Sequence, residues 1–216
     1  MTKDQINLET VARLFWQSRS TYPNYGFIKR RRFYEVSYIL EKVSFKRIDK
    51  LVDLGCGDGG LVKCLDNFLD IGHIYCYDYS VSLMDNIYDP KIDKHLFDIN
   101  DFAYYRNLPK CDLLVFGGVL NFMFDDRVAV HLLAHFDAEH IFIRCPCTQK
   151  PDDEVVNVFS DQLNSYYSSV YRTVKNTIRL IEQSGLTINQ CVRIYPDDIE
   201  SSFGTKQQMF YCTRKG

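Results

Sequence analysis

A chain of 216 residues with a formal net charge of −2 has the length of one α/β domain and is too short for two of full size. Hydrophobic residues make up 46% and charged residues 25%, a balance that excludes a disordered chain, and the near-neutral charge gives no global reason to expect nucleic acid as the partner.

The eight cysteines are read from their surroundings. Cys56, Cys64, Cys76, Cys111, Cys191 and Cys212 lie in or beside apolar segments. The close pair, Cys145 and Cys147, is split by one proline, which is poor spacing for a shared tetrahedral zinc. Free thiols in a reducing compartment are expected. The first ten residues carry no apolar signal-peptide core, and no apolar run reaches the roughly 18 residues that a bilayer span requires. A cytoplasmic protein without a membrane partner is expected.

In chain order, the first 50 residues read as two helices. LETVARLFW and RRRFYEVSYILEKVSF place apolar side chains at helical spacing, with Pro23, Asn24 and Gly26 marking the turn between them. From Lys50 short apolar runs alternate with helical stretches. Strands are expected at 50–55, 73–78, 94–99, 111–118 and 140–145, and helices at 60–69, 80–88 and 127–136. A long helical stretch is expected through about 153–184, closed by Gly185, followed by strands at 187–195 and 208–214. Such alternation predicts helices on both faces of a largely parallel sheet. One domain over 1–216 is expected: a helical cover (1–49), a cofactor-binding core (50–145), and a substrate-side insertion with the last helix and strands (146–216).

The first strand runs into Gly55-Cys56-Gly57-Asp58-Gly59-Gly60, which opens directly into a helix. A sharp turn and a close ligand approach both favour glycine there. Asp78 closes the next strand, 19 positions after Gly59, the spacing at which a carboxylate meets ribose hydroxyls. Together these features point to an adenosine-containing cofactor. The glycine pattern differs from the G-x-G-x-x-G of dinucleotide binders. Asp53 and Asp58 are awkward beside a pyrophosphate, whereas they suit a sulfonium with an amino-acid end.

On these residues the chain resembles the class I S-adenosylmethionine (SAM)-dependent methyltransferases. LVDLGCGDGGLV is similar to the family's first motif, and Asp78 in YCYDYS matches its ribose-binding acid. Asp98 in HLFDIND matches the residue that contacts the adenine amino group, and Phe116 to Leu120 match the segment lying along the cofactor. The resemblance implies a Rossmann-like, seven-stranded, mostly parallel sheet with an antiparallel last strand and helices on both faces. It implies SAM as cofactor, held by Asp53, Gly55, Gly57, Gly59, Asp78, Tyr79, Asp98, Ile99 and Gly117.

Each acid also has a local alternative. Asp78 can cap the helix near Ser80, Asp98 can turn the chain with Asn100 and Asp101, and Asp53 can satisfy loop amides.

The acceptor is less defined. Methyl transfer is an in-line displacement in which positioning supplies much of the rate. The segments to inspect follow strands four and five, Asn121 to Asp126 and Arg144 to Cys147, together with the N-terminal loop. Candidate acceptor contacts are Tyr25, Arg31, Asn121, Arg144 and Tyr171. Arg31, within Lys29-Arg30-Arg31-Arg32, is paired with Arg144 as a clamp for an anionic group such as a phosphate, with a solvated helix face as the alternative. Tyr166, Tyr167 and Tyr171 are candidates for a lid or aromatic wall. No general base stands out: His131 and His135 share a helix face away from the strand ends, so no metal site is expected. The expected activity is methylation of a small molecule, at oxygen, with a sugar or nucleotide sugar among the acceptors. RNA methylation and SAM binding without catalysis are the alternatives.

Overall fold

The computed structural model describes residues 3–21, 25–43, 47–160, 165–199 and 203–214, without the side chains of 3–7, 25–27 and 160. Two helices come first, α1 (Lys3–Gln17) and α2 (Tyr25–Val43). A β-α alternation follows: β1 (Ile48–Leu54), α3 (Gly60–Asp66), β2 (Ile71–Asp78), α4 (Val81–Met84), β3 (Ile92–Leu96), α5 (Phe102–Tyr105), β4 (Cys111–Gly117), α6 (Asp126–Leu133) and β5 (Ala138–Thr148). The chain closes with β6 (Glu154–Ser160), β7 (Ser165–Tyr171), α7 (Val174–Gln183), β8 (Leu186–Arg193) and β9 (Thr205–Arg214). Short 3-10 turns occupy Leu120–Phe122 and Asp197–Ile199.

Seven strands form one sheet in the order β3-β2-β1-β4-β5-β9-β8. The pairs among β1 to β5 are parallel, and β9 inserts antiparallel between β5 and β8. The expected sheet is therefore observed, with the last strand in chain order running against the rest.

Alternation along the central strands divides the core in two. Val52, Leu54, Leu114, Phe116, Ile141 and Ile143 pack on one face, while Leu51, Leu113, Val115 and Phe142 pack on the other. Helices α6 and α7 cover the first face, and α2 and α3 the second. Burial on both sides explains the unbroken apolar runs in the sequence.

The long helix expected over about 153–184 is not formed. Residues 154–160 and 165–171 pair as an antiparallel hairpin, in register from Glu154 opposite Tyr171 to Ser160 opposite Ser165. The reason is composition: Val155, Val156, Val158, Tyr166, Tyr167, Val170 and Tyr171 are β-branched or aromatic, and each strand splits its side chains between two faces. Only α7 remains helical. Its Thr173 cap accepts from the Asn176 amide, and Gly185 closes it at φ +85°. The third strand also differs, ending at Leu96 rather than Ile99. Beyond it Phe97 turns into the core, and Asp98 accepts from the Asn100 amide at 2.9 Å.

Strand order reverses between β1 and β4. Ligand crevices of open α/β sheets lie at such a point, beyond the carboxyl ends of the strands. The loop after β1 and the glycine pair Gly117-Gly118 meet there.

Candidate functional site

The loop after β1 is shaped by glycine. Gly55, Gly57 and Gly59 have φ of +83°, +55° and +68°, a region that side chains with a Cβ rarely enter. A Cβ on Gly55 would also lie 2.1 Å from Val119 Cγ2, so the chain after β4 closes directly on this turn. The Gly55 and Cys56 amides donate to the Tyr77 carbonyl at 2.7 and 3.1 Å, which ties the loop to the end of β2.

Asp78 completes that junction. Its carboxylate accepts from the Gly57 amide at 2.8 Å and from the Ser80 amide at 2.7 Å. Burial raises its pKa, opposed by the amides of Ser80, Gly57 and Tyr79. The cap of α4 is Ser80 itself, whose hydroxyl accepts from the Leu83 amide. The glycine turn and the Asp78 carboxylate thus share one corner of the molecule.

Asp53 is 2% exposed. Its pKa is pushed up to about 8, chiefly by burial and further by Asp78 and Glu35, against the pull of Arg32 and Arg144. Beside it lies a cavity of about 100 Å³, lined among others by Arg31, Arg32, Glu35, Asp53, Gly55 and Arg144. Arg32 reaches Asp58 of the glycine loop at 2.5 Å, and a Cβ on Gly60 would collide with its guanidinium. Arg31 donates to the Ile199 carbonyl at 3.1 Å and stands over the Tyr195 ring. Arg144 pairs with Glu35 at 3.0 Å, as an ion pair rather than an aligned hydrogen bond, and donates to Gln207 at 2.9 Å. Tyr195 donates to the same Glu35 carboxylate. A Cβ on Gly118 would come within 2.7 Å of Arg144 Nη2, so the glycine leaves room for the guanidinium.

Helix α1 covers the far side. Arg13 pairs with Asp98 at 2.6 Å and lies over the Tyr79 ring. Gln17 donates to the Tyr79 hydroxyl at 2.9 Å, and Ser80 donates to the Arg19 carbonyl. The Ile99 carbonyl accepts from the Tyr105 hydroxyl.

Asn121 lies in the turn after β4, at the foot of the β6–β7 hairpin. Its Nδ2 donates to Ser169 Oγ at 2.8 Å, and Tyr171 donates to the Tyr167 hydroxyl at 3.2 Å. Tyr171 is buried and Tyr166 is exposed.

The structure thus brings Asp53, Gly55, Gly57, Gly59, Asp78 and Gly117 to one crevice. Arg31 and Arg144, expected at the acceptor, line the cavity beside Asp53 and Gly55. The side chain of Tyr25 lies outside the described residues, as do Tyr22, Pro23 and Asn24. His131 sits in the last turn of α6 and His135 in the turn just beyond it, so they do not share a helix face as expected; they pack against Phe102 and Tyr105, on the opposite side of the sheet from the arginine cavity. Among the described residues no helix is long and apolar enough to cross a membrane.

Arg13, Arg32 and Glu35 were not singled out from sequence. Arg32 had a signal, the run of four cations from Lys29, but nothing in the sequence pairs Arg13 with Asp98 or Glu35 with Arg144.

No protein-family model matches the sequence, and no curated protein matches it. Solved structures do. A SAM-dependent methyltransferase from Leishmania major superposes with a TM-score of 0.70 at 14% identity, over 95% of this chain and 83% of that one. The N-methyltransferase NodS from Bradyrhizobium japonicum, solved with S-adenosylhomocysteine (SAH), superposes at 0.60 and 12% identity, over 88% of each chain. The (4+2)-cyclase SpnF does so at 0.62 and 11%, over 83% of this chain and 79% of that one. At such identities the likeness speaks for architecture: this chain has the Rossmann-like fold of the class I SAM-dependent methyltransferases.

Proposed function

We propose that the protein binds SAM at the switch point and transfers its methyl group to a small molecule, at oxygen. The observation that carries this reading is the joining of the glycine turn to Asp78, next to a cavity lined by three guanidinium groups and two carboxylates. A nicotinamide dinucleotide would bring a pyrophosphate but no ammonium for the buried Asp53 and Glu35. An amino-acid end brings a carboxylate for the arginines and an ammonium for the acids, and the donor set fits that pair. Asp78 is assigned to the ribose and Asp98, with Tyr79 and Ile99, to the adenine end. Arg31 and Arg144 are assigned to the carboxylate of the cofactor rather than to a phosphate on the acceptor, because they share their cavity with Asp53 and Gly55.

Bound SAM would supply a methyl group activated on a sulfonium, whose transfer to an acceptor hydroxyl would leave SAH and release one proton. The chain's own part is to position. Gly55 and Gly57 let the backbone approach, Arg32 braces the loop through Asp58, and the α1 contacts to Tyr79 and Asp98 tie the helix to the adenosine edge. A thermal unfolding series with SAM, SAH and a nicotinamide dinucleotide tests the reading. SAM and SAH should raise the unfolding temperature in proportion to the logarithm of their concentration, and the dinucleotide should not. No shift with either SAM or SAH contradicts it.

A further inference from the structure

Two buried acids line the cavity beside the glycine turn, and among the described residues neither has both oxygens engaged. Asp53 is 2% exposed and Glu35 6%. No described group donates a hydrogen bond to the Asp53 carboxylate. Burial is the largest cause of its raised pKa, and Glu35 is near enough to raise it further. Both contacts of Glu35 fall on Oε1: the Tyr195 hydroxyl donates to it, and Arg144 Nε lies 3.0 Å away. With Oε1 committed, Oε2 is the atom that Glu35 has left to offer the cavity. Buried carboxylate oxygens without donors are costly, and two acids in one cavity also repel each other. The pair therefore calls for a cation that brings hydrogens.

Glu35 is fixed from several sides. Val36 and Ile39, on the same helix, are buried in the core and hold α2 against the sheet. Tyr195 is buried, and the Arg31 guanidinium covers its ring at 5.4 Å. Buried Gln207 accepts from Arg144 at 2.9 Å, which steadies the guanidinium beside Glu35. Segments far apart in sequence thus aim one carboxylate before any ligand arrives, and an aimed group loses little entropy on binding.

Charge alone does not identify the occupant. A sulfonium brings a positive charge but no N–H, and would leave the oxygens without donors. A primary ammonium brings three, enough for Asp53 and Glu35 Oε2 together. We infer that Glu35 Oε2 and Asp53 jointly receive the ammonium of the cofactor's amino-acid end, and that Glu35 makes the site selective for adenosyl ligands carrying both an ammonium and a carboxylate. The selectivity has a physical source. Glu35 stands beside Arg144, so a negative and a positive group lie side by side, as the two charges of an amino acid do. A ligand without the ammonium would bring its carboxylate towards two buried acids with no charge to compensate them. The inference rests on the cofactor reading above, and its test keeps the two apart.

Calorimetry near neutral pH compares SAH with the analogue in which hydrogen replaces the amino group, in the parent, Glu35→Gln and Glu35→Asp. Both ligands keep the carboxylate, so an effect of a variant on Arg144 cancels in the ratio of their dissociation constants. The parent should favour SAH by about tenfold or more. Glu35→Gln should cut that preference by about fivefold, because Tyr195 and Arg144 keep the amide oxygen and turn its amino hydrogens towards the ammonium. Glu35→Asp keeps the charge but withdraws the oxygen by one methylene, and should cut the preference by a smaller factor. Equal binding of the two ligands to the parent overturns the inference. So does a preference unchanged in Glu35→Gln or, should that variant not fold, in Glu35→Asp. Failure of the cofactor reading looks different: neither ligand binds the parent, and the inference falls with it.

Discussion

The Gly57 amide donates to Asp78 Oδ2 at 2.8 Å, joining the turn after the first strand to the end of the second. A second amide, that of Ser80, holds the other oxygen, so the carboxylate is aimed by backbone rather than by mobile side chains. Acidic side chains fixed by amide donors bind with little further loss of entropy. The proposed cofactor site is built on that junction.

Asp53 should make both stability and binding depend on pH. Its pKa stands at about 8 in the folded chain, well above the ordinary carboxylate range. Between the unfolded and folded values the native state holds a proton that the unfolded chain has released, so stability falls as pH rises through this window. Asp53→Asn should flatten that fall, measured as unfolding free energy at a series of pH values. A cationic ammonium beside Asp53 favours its ionised form. SAH binding should therefore tighten from about pH 6 to about pH 7.5, below the usual range of the ligand's own amino group, and Asp53→Asn should remove the trend.

Gly55→Ala tests the turn. The new Cβ would meet Val119 Cγ2 at 2.1 Å on a backbone at φ +83°. Steric overlap and a left-handed alanine should together cost about 2–4 kcal/mol of stability, read from denaturant midpoints at unchanged slope. Gly185→Ala is the control: its φ is +85° but nothing lies near the added atom, so the loss should be only about 1 kcal/mol.

Arg31→Ala separates the two ends of the ligand. If this guanidinium serves the amino-acid carboxylate, the variant should weaken SAH by about tenfold and leave adenosine binding unchanged, as compared by calorimetry. Equal loss for both ligands would place Arg31 in a general structural role.

Arg172→Met should destabilise the chain by about 3 kcal/mol, because four hydrogen bonds to Leu120, Met123 and Asp126 are lost from a buried position. The unfolding temperature should drop accordingly, with SAH affinity changed far less than in Asp78 variants. A variant as stable as the parent would show that the turn after the fourth strand holds itself.

The parallel sheet could be read from the sequence because its strands are buried on both faces. LVDLG, HIYCYD and CDLLVFGG carry apolar residues at successive positions, a pattern that few other environments produce. The glycine loop and Asp78 were equally readable, since their spacing is set by one β-α-β unit. The hairpin at 154–171 was not. Its strands mix serine and tyrosine with valine, and the absence of turn-forming residues such as glycine and proline within the segment favours one long helix over two short strands. Their aromatic content was the signal, and tertiary packing on α1 decided the outcome. Arg31 and Arg144 are legible as a pair of cations, but which ligand they serve is not, because the cavity they share with Asp53 and Gly55 forms only in the fold. Separated by most of the chain, they meet only because α2 lies across the ends of β4 and β5.

The most direct measurement is calorimetric titration of SAH into the parent protein, Asp78→Ala and Asp78→Asn. The account predicts saturable one-site binding to the parent and a dissociation constant raised more than tenfold in Asp78→Ala, about 1.4 kcal/mol or more. Asp78→Asn should fall between them, because the amide keeps the shape but only one oxygen acceptor. An unchanged constant in the folded Asp78→Ala protein, or no binding to the parent, would contradict the proposed site.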